Sequence, residues 1–354
     1  MVMENKSPFE KFPQVYVQTP LIESISMRQY AAGHRIFIKA ENCQPSGSFK
    51  LRGISAQVKD AKVNGYTKIV MASDGNAGLA AAYSALQLSM DCHIVAPHKT
   101  PKSTVDSMKQ FGATVEIFSD SETEVAERAQ LFAKLNTSAL IEASDSKLAW
   151  RANSLIIEEV ASDLGAGVVP SLIVANCGGG GLVCGLVEGI RKRGWEQKTK
   201  ILVMETTGTG SFNAMVRAQG KCVKLEPNSM HSSIACSLKE PQVIEKVSQC
   251  FLESKPPLLS RLVADKDAVA ACLRFANDHR FLVGPACGTT LAAVYGGVVK
   301  RLLTNDESEH ETIFDRIDHE DFNHGNDGPV VVIVDGGAEI SLEVLAEYKR
   351  QFAL

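Results

Sequence analysis

The sequence predicts an α/β protein built from two open, mostly parallel twisted sheets flanked by helices, and three observations predict it. From Arg35 onward, short β-rich runs alternate with helical stretches, the pattern of βα units that lays strands parallel. Glycine-containing turns join strand to helix in "MASDGNAG" and "VANCGGGGL". At 354 residues the chain also exceeds the ~250–300 residues at which one core stops growing, so two domains are expected.

The expected strands are, in order, "RIFIKA", "KIVMAS", "DCHIVAP", "TVEIFS", "SALIEAS", "SLIVANC", "KILVMET" and "PVVVIVDGG". Helices are expected in "NAGLAAAYSALQLS", "PKSTVDSMKQFG" and "SETEVAERAQLFAKLN", the last opening on a Ser-x-x-Glu capping box at Ser121 and Glu124. The middle units, roughly 50–145, read as one small sheet. This gives a small domain at 44–148 and a large one from 1–43 and 149–354, with a ligand expected in the cleft between them.

Composition narrows the function. The chain is 45% hydrophobic and 22% charged with net charge −4, values of an ordinary globular protein with no electrostatic footprint for nucleic acid. A small molecule is the expected partner. Nine cysteines are scattered without a C-x-x-C pair, which argues against a disulfide framework or zinc ribbon and for reduced thiols. The N-terminus lacks the apolar core of a signal peptide, and no apolar run approaches the roughly 18 residues of a membrane span. A cytoplasmic protein without a membrane partner is expected. Residues 304–328 are crowded with acids and carry His310, His319 and His324; they read as a solvated or disordered loop, with metal binding as the rarer alternative.

Three stretches carry chemistry. "CGGGGL" sets Gly178, Gly179, Gly180 and Gly181 between a buried strand and a helix, where consecutive N–H groups and the helix dipole can cradle a phosphate. The alternative is a tight turn for packing alone. No Gly-Lys-Ser/Thr follows, so it is not a Walker loop, and it lacks the G-x-G-x-x-G spacing of a dinucleotide site. In "SDGNA", the backbone of Ser73, Asp74, Gly75, Asn76 and Ala77 can hold a carboxylate, with Asn76 able to donate to a ring hydroxyl; taken alone this loop reads as a helix cap. In "ENCQPSGSFKLRG", Lys50 opens a helix behind a Pro-Ser-Gly-Ser turn. A surface role is the default for a lysine, but beside Phe49 and in a chain with a phosphate cradle it suggests a Schiff-base lysine for pyridoxal 5'-phosphate.

These motifs, with "METTGTGSF", "GPACGTTLAAVY" and "VVIVDGGAEISL" in the same order and spacing, resemble the serine/threonine dehydratases of the fold type II, tryptophan-synthase-β-like pyridoxal phosphate enzymes, eukaryotic L-serine dehydratases above all. The likeness runs from about Thr19 to Leu345. It implies that Lys50 carries the cofactor and then moves the substrate proton, that Phe49 packs on the ring and that Asn76 meets the ring hydroxyl. Gly178 to Gly181 would bind the phosphate, while Ser73, Gly75, Asn76 and Ala77 would clasp the substrate carboxylate. Glu205 resembles the acid that helps bind a monovalent or divalent cation in relatives, the alternative being a charged strand end. A homodimer is implied as well.

Three departures from the family pattern bear on the reaction. Asp335 stands where relatives place a cysteine or serine beside the pyridine nitrogen; a carboxylate there keeps that nitrogen protonated and strengthens the electron sink, unless it turns aside to cap the next turn. Asp74 replaces an alanine or serine and would lie across the cofactor from Lys50 as an acid or base, or as a contact for a cationic substrate group. Gly284 replaces the glutamate of an "EPACG" pattern, and Arg151 in "AWRANSL" is either a contact for an extra acid group or an exposed helix residue. The expected reaction is dehydration and deamination of a β-hydroxy amino acid such as L-serine or L-threonine to a 2-oxo acid and ammonia. The alternatives are racemisation or epimerisation, or β-replacement, using Asp74 and Asp335, and a silent regulatory protein that keeps only the fold.

Overall fold

The computed structural model describes residues 12–143, 146–226, 233–304 and 327–354. They fall into two compact units, one drawn from Met1–Gln18 and Gln44–Ala152, the other from Thr19–Cys43 and Asn153–Leu354. The expected acidic loop lies almost wholly in 305–326, outside the described residues, as do His310, His319 and His324.

In chain order the elements are β1 (Leu21–Glu23), α1 (Ile25–Arg28), β2 (Ile36–Ala40), α2 (Lys50–Val63), β3 (Lys68–Ala72), α3 (Asn76–Gln87), β4 (Asp91–Ala96), α4 (Lys102–Gln110), β5 (Thr114–Ile117), α5 (Glu122–Leu135), β6 (Ala139–Leu140) and α6 (Lys147–Leu164). There follow β7 (Leu172–Asn176), α7 (Gly181–Lys192), β8 (Lys200–Thr206), α8 (Ser211–Arg217), α9 (Glu245–Glu253), β9 (Leu258–Val263), α10 (Asp265–His279), α11 (Pro285–Tyr295), α12 (Val298–Thr304), β10 (Val330–Val334) and α13 (Leu342–Gln351).

The smaller unit holds a four-stranded parallel sheet in the order β5-β4-β3-β6. Leu51, Ile54 and Val58 of α2 and Leu79 to Ala82 of α3 pack on it. Val15 joins this core, and the Tyr16 ring lies 5.0 Å below the buried Arg52 guanidinium; these contacts tie residues 12–18 to this unit. Ser121 caps α5 as expected, its Oγ accepting the Glu124 N–H at 3.3 Å. The return half of the capping box does not form. Ser119 Oγ accepts the Ser121 N–H at 3.1 Å and donates to the Glu124 carboxylate, so a preceding serine has taken both roles.

The larger unit holds a six-stranded sheet in the order β1-β2-β10-β7-β8-β9, parallel except for β1. Its centre is β10, "VVVIV", buried at every position, the β-branched run that a strand covered on both faces requires. α11 is buried along ten of its eleven residues. It meets α10 at Gly288, where an added Cβ would come within 2.3 Å of the Ala268 carbonyl oxygen. The fold class is therefore as expected, with two additions. β9 escapes notice because Ser260 and Arg261 interrupt its apolar run, and β1 because three residues, "LIE", carry no period. Among the described residues no helix is long and apolar enough to cross a membrane.

Candidate active site

The residues singled out by sequence fall on both units, and each set is built within its own. In the smaller unit the chain turns through Gly47 at φ +80° and enters α2 at Lys50. Phe49 is buried, with its ring centroid 5.3 Å from Lys50 Nζ. Behind them Gly53 allows no side chain, since a Cβ there would lie 2.7 Å from that of Ala149. The first turn of α2 is thus pinned, and with it the base of the Lys50 side chain. On either side of Gly47, Ser46 and Ser48 are 3% and 1% exposed, and their hydroxyls have no hydrogen-bond partner among the described residues. Sequence reasoning assigned neither. Two orphan hydroxyls in a turn leading to a lysine fit a polar ligand, because a buried hydroxyl without a partner costs about 1–3 kcal/mol.

The second loop of this unit runs from β3 to α3. Ser73 Oγ accepts the Gly78 N–H at 2.8 Å, and a Cβ at Gly78 would displace the Met108 methyl at 2.5 Å and crowd Ser73 Oγ at 3.2 Å. The serine hydroxyl therefore shapes the head of α3. Asp74, Gly75 and Ala77 are half-buried, and Asn76 is buried as the first residue of the helix. Asn76 Oδ1 is a buried acceptor with no partner among the described residues; turning the amide over presents the donor instead. Either way an amide waits at a helix head, where the backbone favours a negative group.

In the larger unit the glycine loop follows β7 and heads the twelve-residue α7. Gly180 has φ +102°, and a Cβ there would meet Val247 Cγ2 at 2.2 Å. At Gly178 a Cβ would lie 3.0 Å from the Ser237 carbonyl oxygen. Asn153 Nδ2 donates to the Gly181 carbonyl at 3.2 Å and Ile244 N–H to the Gly179 carbonyl at 3.0 Å. With carbonyls tied back and side chains excluded, bare backbone at a helix N-terminus fits a phosphate.

Asp335 follows β10 directly and is 6% exposed. Its charge helps to raise the thiols of Cys272 and Cys287, after desolvation in both cases. Two residues on, Gly337 at φ +147° leaves a Cβ only 2.5 Å from Gly284 N. The space beside Gly284 is itself filled by Glu339, whose Oε1 lies 2.7 Å from where a Cβ would stand. A glutamate from the β10 loop thus occupies the volume beside a position that carries no side chain.

Glu205 is fully buried at the end of β8. Its two carboxylate oxygens accept the N–H groups of Phe212 (2.9 Å) and Asn213 (2.8 Å), bracing the loop into α8. Burial pushes its carboxyl up to about 8 despite those donors. Among the described residues no three His, Cys, Asp or Glu side chains gather as a metal site.

Comparison with known proteins adds the family. The pattern of the pyridoxal-phosphate dependent enzymes matches residues 13–310. The L-serine dehydratase/L-threonine deaminase of Mus musculus is 38% identical over 96% of this chain and 97% of its own length, and that of Homo sapiens 36% identical over 96% of each. Among solved structures, a fungal L-serine ammonia-lyase from Rhizomucor miehei superposes with a TM-score of 0.82 at 28% identity, covering 96% of this chain and all of its own.

Proposed function

The chain belongs to the pyridoxal-phosphate dependent enzymes, and on that premise we propose that it is a lyase dehydrating L-serine or L-threonine to a 2-oxo acid and ammonia. The observation that carries this reading is the glycine loop, whose missing side chains at Gly178 and Gly180 and positive φ leave bare backbone at the head of α7. Similarity to L-serine dehydratase/L-threonine deaminases over nearly the full chain supports the substrate.

When bound, pyridoxal phosphate supplies an aldehyde for the amine and an electron sink that acidifies the substrate α-carbon. Each part of the chain then has a task in this reading. The N–H groups of Gly178, Gly179, Gly180 and Gly181 hold the phosphate. Lys50 Nζ would hold the cofactor's aldehyde end, and the same amine would accept the substrate α-proton. Phe49 and Asn76 would hold the cofactor ring, the first by packing and the second by an amide hydrogen bond to its hydroxyl. Ser73, Gly75, Asn76 and Ala77 orient the substrate carboxylate, so that the α-proton faces Nζ. Asp335 holds a proton on the ring nitrogen, and Asp74 moves a proton to the departing β-hydroxyl, which leaves as water. A homodimeric assembly completes the reading; Glu205, whose two oxygens already accept the Phe212 and Asn213 N–H groups, serves in it as a brace for the loop into α8 and not as a cation ligand.

Borohydride reduction of the loaded enzyme followed by peptide mapping tests the anchor: label on a lysine other than Lys50 defeats it. A panel of L- and D-amino acids, followed by 2-oxo acid release and product chirality, tests the reaction. A second reading, racemisation or β-replacement, draws on the buried Asp335; a product of inverted chirality, or one retaining its amine, selects it.

A further inference from the structure

Gly284 is a glycine for which its own backbone gives no reason. It stands at φ −81° and ψ 166° as the N-cap of α11, extended geometry that any residue adopts. What keeps a side chain out is Glu339. Of the three atoms nearest to where a Cβ would stand, two are Oε1 and Cδ of Glu339, at 2.7 and 3.5 Å, and the third, Gly337 Cα at 3.7 Å, is in ordinary van der Waals contact. A carboxylate borrowed from the β10 loop therefore fills the room of the missing side chain.

The loop that brings it is seated on the same stretch of chain. Asp335 follows β10, and two residues on Gly337 lies flush against the entry to α11, where a Cβ on it would come within 2.5 Å of Gly284 N and 2.7 Å of Val283 Cα. Ile340 N–H donates to the Gly337 carbonyl at 3.1 Å and closes the turn that carries Glu339. The carboxylate thus ends at the head of an eleven-residue helix, where the backbone dipole favours a negative group. That head is itself fixed from the cofactor side: Asn176, the last residue of β7, donates its Nδ2 to the Ala286 carbonyl at 2.9 Å. Cys272 Sγ donates to the Gly284 carbonyl at 3.3 Å, and the charges of both Asp335 and Glu339 help to raise its thiol, after desolvation. The two acids lie close to one sulfur.

We propose that Glu339 is a positioning residue for Asp335: seated in the room that Gly284 leaves at the head of α11, its carboxylate fixes the loop from Asp335 to Gly337. The departure at Gly284 and the glutamate at 339 are then one change made in two places, and Gly284→Glu combined with Glu339→Gly rebuilds the same seat from the other side. The effect on turnover rests on the reading that Asp335 holds the proton on the ring nitrogen; the seat itself does not.

The test is amide hydrogen exchange at residues 335–337 of the whole chain, with kcat and KM for L-serine measured on the loaded enzyme. Glu339→Gly should speed that exchange while β2 and β7 stay protected, and should lower kcat by up to roughly 10²-fold, the scale of a misplaced group, with KM little changed. Gly284→Glu alone crowds two carboxylates and should do similar damage. Gly284→Glu with Glu339→Gly should return both exchange and kcat toward wild type. Exchange at 335–337 as slow as wild type in Glu339→Gly overturns the proposal, and so does a double variant no better than Glu339→Gly alone. Where Glu339→Gly folds poorly, Glu339→Gln takes its place, and wild-type exchange at 335–337 in that variant overturns the proposal equally. If exchange and its rescue are as expected but kcat stays at the wild-type value throughout, the seat stands and the reading of Asp335 at the ring nitrogen fails.

Discussion

Lys39, fully buried in β2, places its Nζ 2.7 Å from Glu159 Oε2 on α6 and 3.8 Å from Asp163. The same ammonium donates to the Thr19 carbonyl at 2.7 Å. Removing one partner of a buried pair leaves the other charge uncompensated, which costs about 3–5 kcal/mol. Lys39→Ala should lower the urea midpoint accordingly, and Lys39→Ala combined with Glu159→Ala should cost less than the sum of the two single changes. A strictly additive double-mutant cycle would show that the pair does not act as a unit.

Gly180→Ala should damage cofactor retention more than any other single methyl added to the loop. It meets both a left-handed backbone, unfavourable by ~1–2 kcal/mol for a non-glycine residue, and the 2.2 Å approach of Val247. Val247→Ala in the same chain should return only part of the loss, because the backbone strain remains. Equilibrium dialysis of pyridoxal phosphate reads this out, with a fall of roughly tenfold per 1.4 kcal/mol expected.

Lys50→Ala should remove the visible band of the bound cofactor and lower turnover by ~10²–10⁴-fold or more, the scale for a positioned proton carrier. Melting temperature should stay close to that of the wild type, since Lys50 is half-buried at a helix start. Coincident loss of fold and colour would assign Lys50 to structure instead.

Asp74→Ala should leave the cofactor spectrum intact while turnover drops ~10²-fold. Asp335→Cys should favour elimination over exchange of the α-proton with solvent, compared by 2-oxo acid release against deuterium uptake. If rates, exchange and product chirality are untouched by both, the two acids are silent and the chemistry is that of a plain dehydratase.

Glu205 makes stability depend on pH. Its folded value of about 8 lies above the ordinary 4.5, so the folded state holds the proton more tightly and stability falls as pH rises from about 4.5 to 8. Glu205→Gln should flatten that part of the profile. Its amide keeps one acceptor oxygen and puts a donor NH2 in place of the other, so either Phe212 or Asn213 N–H loses its acceptor and the variant should also lose about 1–3 kcal/mol. Thermal melts across this pH range check both effects, and a retained slope in the variant would move the titration elsewhere.

Periodicity and turn residues made most of the sheet legible: every strand of the smaller unit and the buried runs β2, β7, β8 and β10 announce themselves. What stayed hidden depends on tertiary neighbours. The role of Ser119 in capping α5 needs the turn geometry that precedes Ser121. The bracing of Glu205 needs a loop that brings Phe212 and Asn213 back to it, and the orphan state of Ser46 and Ser48 shows only once every neighbour is placed. Gly284 reads in the sequence as a lost glutamate, whereas in space Glu339 stands beside it.

The place of β10 in the larger sheet also sets an order of events at the ribosome. Among the described residues the strand latest in the chain is laid between β2 and β7, with Val330 aligned to both Ile36 and Leu172. Until it emerges, the edges of β2 and β7 have no mutual partner, and the apolar faces that await it stay open to water and to chaperones. The smaller sheet, whose strands all lie between Lys68 and Leu140, needs nothing from β10. Synthesis therefore delivers the smaller sheet first and leaves the larger one open until Val330–Val334 has been made.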